Sequence, residues 1–156
     1  MTGVQTCALP ICISSRWEIE DDLPPVWADR QSLMQVFLNL TKNSERAMED
    51  KEQRELNVIA RSEGSGVTIR FRDTGGGVAH PERLFHPFQL EAQSTGLGLY
   101  LSRAFMRSFK GDLYYEPTPG GSTFVVKLSA AMRESKNDNY EQQNSGIADR
   151  RSQPVP

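Results

Sequence analysis

The sequence predicts an α+β fold: a two-layer α/β sandwich whose mixed, mostly antiparallel sheet carries helices on one face. Three observations predict it. Two segments, 29–49 and 98–109, repeat apolar residues at helical spacing. Several short runs alternate apolar and polar residues with a period of two. The two patterns mix without strict strand–helix–strand alternation, which disfavours a doubly wound parallel sheet. At 156 residues the chain has room for a single core.

The elements follow in order. Ser15 to Glu20 alternates and reads as a strand. Asp21 to Pro25 is a turn. Asp29 is an N-cap for a helix running to about Glu49. Within it Leu33, Val36, Phe37, Leu40 and Ala47 form one apolar stripe that should face the core. Leu56 to Arg61 and Val67 to Asp73 read as strands joined by the turn Ser62-Glu63-Gly64-Ser65-Gly66. A second helix runs from about Gly98 to Phe109, where Gly111 should stop it. Leu113-Tyr114-Tyr115 and Thr123 to Leu128 form a closing hairpin around Pro117-Thr118-Pro119-Gly120-Gly121.

Both ends fall outside this pattern. Met1 to Ile11 resembles the conceptual translation of a common DNA-sequencing adapter. Residues 1–12 are therefore expected to be an adapter-derived artefact or a disordered leader, and the protein is expected to extend upstream. Residues 132–156 are polar and poor in large apolar side chains. They cannot bury enough surface to offset the entropy of ordering and should form a disordered tail. The folded domain is expected at 13–131.

Composition excludes several classes. The net charge is −2 and no basic stretch offers a nucleic-acid footprint. No apolar run reaches about 18 residues, so this chain is expected not to span a membrane. Cys7 and Cys12 are too close for a useful disulfide, and no cysteine or histidine cluster completes a zinc site. A reduced, cytoplasmic setting is expected, whether or not the parent protein is membrane-anchored.

Three short motifs carry chemistry. On the first helix Asn39, Asn43 and Arg46 sit at i, i+4 and i+7 and share a face about a quarter-turn from the apolar stripe. An Asn side-chain oxygen is a hard, neutral ligand of the kind Mg²⁺ takes alongside phosphates and water. Arg46, one turn on, could reach a phosphate. On the third predicted strand, residues 67, 69 and 71 form the apolar face, and alternation puts Asp73 on it too. A carboxylate aimed into a core needs a donor, and an adenine amine is one. Gly75 and Gly77 let the backbone approach a flat base, although Asp-x-Gly is also a common turn after a strand. Finally, Gly96-Leu97-Gly98-Leu99 opens the second helix, where backbone N–H groups can bind phosphate with help from Ser94 and Thr95. No Gly-Lys-Ser/Thr is present, so this is not a P-loop. Taken together, the motifs describe an ATP pocket.

In these residues the chain resembles the ATP-binding catalytic domain of bacterial sensor histidine kinases, within the superfamily that includes gyrase, Hsp90 and MutL and shares the Bergerat-type fold. Asn39 to Arg46 resembles the N box, Asp73 to Gly77 the first glycine box, Leu84-Phe85-His86-Pro87-Phe88 the F box, and Ser94 to Leu99 the second glycine box. Gly121-Ser122-Thr123-Phe124 resembles a last glycine motif. The resemblance implies Asn43 on Mg²⁺, Asp73 on adenine, and Arg46 and the Gly96–Gly98 loop on phosphates. It implies Phe85 and Phe88 as anchors of a lid over ATP, and a nucleotide site that also takes in Asn39, Gly75, Gly77, Val78, Thr95, Leu97, Leu99 and Thr123. Ser94 departs from the usual glycine, and Gln89 to Gln93 is a short lid without its common lysine.

The implied activity is transfer of the ATP γ-phosphate to a histidine on an upstream dimerisation domain absent from this chain, with a response regulator receiver domain as onward partner. The histidines here, His80 and His86, both precede proline and read as loop residues, so the chain alone should not autophosphorylate. Two alternatives stand beside it. A gyrase- or Hsp90-like ATPase, or an anti-sigma serine kinase, places a general-base Glu where this chain has Asn39, an amide without basicity. A degenerate module would bind or dock without catalysis.

Overall fold

The computed structural model describes residues 2–5, 13–88 and 96–131. Six strands form one sheet in the order β1-β2-β3-β4-β6-β5. They are β1 (Thr2–Gln5), β2 (Ser14–Ile19), β3 (Glu55–Glu63), β4 (Gly66–Asp73), β5 (Asp112–Thr118) and β6 (Gly121–Ser129). β2 and β3 run parallel and the other neighbours are antiparallel. Helices α1 (Arg30–Ala47) and α2 (Gly98–Ser108) pack on one face, giving the two-layer α+β sandwich that the sequence predicts.

Alternation decides which face is covered. Leu56 and Val58 of β3, Phe71 of β4, Leu113 of β5 and Phe124, Val126 and Leu128 of β6 meet Val36 and Leu40 of α1 and Met106 of α2 in one core. Each such side chain, fully buried, contributes about 1.5–3 kcal/mol. Phe37 adds a tilted ring contact with Phe71 at 5.4 Å. Pro117 is tolerated inside β5 because, among the described residues, β5 is an edge strand beside β6.

Some details differ from the sequence reading. β3 and β4 extend to Glu63 and Gly66, so the five-residue turn tightens to Gly64-Ser65, with Gly64 at φ +59°. α2 stops at Ser108, and the left-handed residue after it is Lys110 (φ +57°), not a glycine. Gly111 serves a different need: a Cβ there would lie 2.2 Å from the Lys127 carbonyl oxygen as β6 passes. Lastly, Thr2–Gln5 pair with β2, inside the segment that the sequence reading set apart from the fold. Without them β2 would be an open edge, whose unpaired N–H and C=O groups accept any extended neighbour. The expected disordered tail, both cysteines, the lid residues 89–93, Ser94 and Thr95 lie outside the described residues.

Candidate nucleotide site

α1 positions the first group of residues. Asp29 caps it, its carboxylate accepting from the Ser32 N–H at 2.7 Å. That bond holds the Asp29 carboxyl below its ordinary range. The stripe Val36–Leu40–Ser44 is fully buried, which fixes the rotation of the helix. Asn43 is then half-buried beside the stripe and Arg46 is exposed. Asn39 is turned toward α2. Its Nδ2 donates to the Ser102 Oγ at 3.0 Å and to the Gly98 carbonyl at 3.4 Å, while its Oδ1 accepts from Gln35 at 3.1 Å. Its amide therefore holds the entrance of the second helix.

β4 delivers Asp73 to the inner face, 2% exposed. Oδ1 accepts the N–H of Gly75 at 2.9 Å and that of Ser122 at 3.2 Å. Oδ2 accepts the Ser44 hydroxyl at 3.1 Å. These three donors offset the cost of burying the carboxylate. Among the described residues no buried side-chain nitrogen or oxygen lacks a partner.

The glycine run after β4 has two uses. A Cβ on Gly75 would sit 2.5 Å from the Ala47 Cβ and 2.7 Å from its carbonyl oxygen, so the loop lies directly against the end of α1. Gly77 adopts φ +90°, a conformation that side chains disfavour. Gly77 and Val78 line an open groove of about 650 Å³ with Tyr115, Pro117 and Gly121.

The F-box residues part company. Phe85 packs against the core, and the Arg103 guanidinium of α2 stacks 4.6 Å from its ring centroid. Arg103 also donates to Asp112 at 3.1 Å, so one side chain links the F box, α2 and β5. Phe88 is 73% exposed at φ +58°, beside lid residues that lie outside the described residues. Gly96 has φ +64°, Leu97 precedes α2, Gly98 opens it against Asn39, and Leu99 packs on the core. Thr95 lies outside the described residues.

One expected site residue points elsewhere. Thr123 pairs with Arg72, on the opposite face from Asp73, and its hydroxyl is 2.7 Å from that of Thr118. The period of two is the reason: Ser122, one residue earlier, pairs with Asp73, and its backbone N–H donates to the carboxylate. Ser44 and Ser122 are the residues sequence reasoning missed. Ser44 was legible as a small polar residue on the apolar stripe at i+4 from Leu40. Ser122 was legible only once the β4–β6 register was known.

The model of the family described as histidine kinase-, DNA gyrase B- and HSP90-like ATPases matches residues 28–132. The chain is 33% identical over 117 residues to the C4-dicarboxylate transport sensor protein DctB of Rhizobium meliloti, covering 70% of this chain and 19% of that protein. It is 32% identical over 129 residues to the signal transduction histidine-protein kinase AtoS of Escherichia coli, covering 80% and 21%. The chain thus spans about a fifth of the length of these relatives. Among solved structures, full-length ShkA in complex with AMPPNP is 27% identical with a TM-score of 0.62, covering 74% of this chain and 25% of that one. The histidine kinase AdeS of Acinetobacter baumannii is 27% identical with a TM-score of 0.60, covering 74% and 53%.

Proposed function

The chain belongs to the histidine kinase-, DNA gyrase B- and HSP90-like ATPase family, and from that premise we propose that it is the catalytic domain of a two-component sensor histidine kinase. In this reading it holds ATP and presents the γ-phosphate to a histidine on a separate dimerisation domain, from which a response regulator receiver domain takes the phosphoryl group. The observation that carries the reading is Asp73: a buried carboxylate, oriented by three donors, at the wall formed by α1 and the glycine loop.

Each residue then has a role. Asp73 accepts the exocyclic amine of adenine. Gly96 to Gly98 offer N–H groups to the phosphates at the start of α2, where the helix dipole favours negative charge. Arg46 supplies countercharge. Asn43 offers one neutral amide oxygen, which fits a Mg²⁺ ion carried in on phosphates. Among the described residues no group of three or more His, Cys, Asp or Glu could hold a metal unaided. The ion would supply charge neutralisation along the phosphate chain. No base stands at position 39, and its amide is already committed to Ser102 and Gly98. That suits a nucleophile that needs no activation, and a neutral imidazole is one. The protein's contribution is positioning and charge.

The test is transfer in trans. The 156-residue chain is mixed with the isolated dimerisation domain of AtoS and ATP labelled at the γ-phosphate. Acid-labile, alkali-stable label on that domain, lost with Asn43→Ala, is the expected result. Hydrolysis to free phosphate without label transfer would favour the ATPase class, and nucleotide binding without either product the non-catalytic module.

A further inference from the structure

Asp73 has about four lone-pair directions, as any carboxylate does, and three are used among the described residues. Two are filled on Oδ1 by the backbone N–H groups of Gly75 and Ser122. One is filled on Oδ2 by the hydroxyl of Ser44. Ser44 is fully buried and Asp73 nearly so, which shields the bond from competing water. The backbone donors come with the loop and strand, whatever side chains those residues carry. Only the Ser44 donor is a choice of side chain, and it stands next to Asn43 on α1.

The torsion that rotates a carboxylate is soft and roughly two-fold. Donors on Oδ1 alone restrain it incompletely. A donor on Oδ2 fixes the plane and leaves a single open direction on that oxygen. We propose that Ser44 is a specificity-determining positioning residue: it holds Asp73 so that one lone pair faces the amine of a 6-aminopurine. The proposal rests on the reading of Asp73 as the adenine acceptor. A 6-oxo purine would set its carbonyl oxygen against this lone pair, two acceptors facing one another. A purine with no substituent at C6 would leave the lone pair unmet. Without Ser44 the carboxylate regains a second open direction on Oδ2 and discriminates less between these bases.

A purely structural Ser44 would also satisfy Asp73, so stability alone does not separate the two roles, whereas a ratio of affinities does. The full chain and Ser44→Ala are each titrated with ATP and with the triphosphate in which hydrogen replaces the 6-amino group, and each is melted without nucleotide. Alanine fits the space and is a good helix former. Should it fail to fold, Ser44→Cys keeps the volume with a weak donor and gives the same comparison. Wild type should prefer ATP by about tenfold, the value of one hydrogen bond to a charged group. The variant should lose at least about threefold of that ratio, with affinity for the deaminated probe unchanged. A folded variant that keeps the full ratio overturns the proposal and leaves Ser44 as a buried partner only. Wild type that binds both probes equally, or neither, overturns the reading of Asp73 itself and the proposal with it.

Discussion

The side-chain amide of Asn39 donates to the hydroxyl of Ser102 across 3.0 Å, joining α1 to α2 near the turn where the Gly96–Gly98 segment becomes a helix. Ser102 is fully buried, and the same amide reaches the Gly98 carbonyl. Asn39 thereby ties the two helices together at this point. Asn39→Ala should cost about 1–2 kcal/mol in urea unfolding, because it leaves a buried hydroxyl without its donor. It should also weaken Mg-ATP binding by displacing Gly98, while Gln35→Ala, whose side chain sits on the exposed side of Asn39, changes binding little. Equal affinity in Asn39→Ala and wild type would show that the clasp does not position the loop.

Gly75→Ala tests whether the first glycine turn is built against the helix. The added Cβ meets the Cβ and carbonyl oxygen of Ala47, and neither is the end of a flexible side chain. An overpacking cost of about 1–3 kcal/mol is expected. A melting temperature within error of wild type would mean that the loop moves freely away from α1.

Phe85 and Phe88 should separate cleanly. Phe85 packs on the core beneath Arg103, and truncation to Ala should cost about 2–3 kcal/mol from lost burial and the cation–π contact. Phe88 is exposed, and Phe88→Ala should fall within about 0.5 kcal/mol in the nucleotide-free protein. Thermal unfolding of both variants decides it.

Asp112 gives the fold an acid-sensitive joint. Burial pushes its carboxyl up, but the Arg103 hydrogen bond, the Leu113 N–H and the charges of Arg103 and Arg107 outweigh this and hold it below the ordinary value of 3.8. A depressed carboxylate contributes stability that is complete above its unfolded value and lost as pH falls through the folded one. Asp112→Asn should therefore be less stable than wild type at pH 7, and the gap should shrink as pH falls below 3.8 and through the depressed folded value. A gap that persists unchanged at low pH would assign the loss to packing instead.

Much of this was legible in the sequence because it rests on short-range periodicity. The stripe of α1, the inward direction of Asp73 and the N-cap at Asp29 each follow from spacing alone. What escaped depends on partners distant in sequence. The register between β4 and β6 makes Ser122, not Thr123, the neighbour of Asp73. The approach of α2 takes up the amide of Asn39, which on its own helix looked free for a ligand. Lys110 takes the left-handed position after α2 because Gly111 is needed where β6 passes. Strand β1, which pairs with the edge of β2, is likewise visible only in the structure.

The central claim is that Asp73 is the adenine acceptor of an ATP pocket, and thermal unfolding of the full chain with and without Mg-ATP, beside Asp73→Asn, tests it most directly. At about 100 times Kd, wild type should gain about 2.7 kcal/mol, and the variant, folded but with an altered acceptor, should gain nothing. An equal gain in both proteins, or none in wild type, would contradict the account.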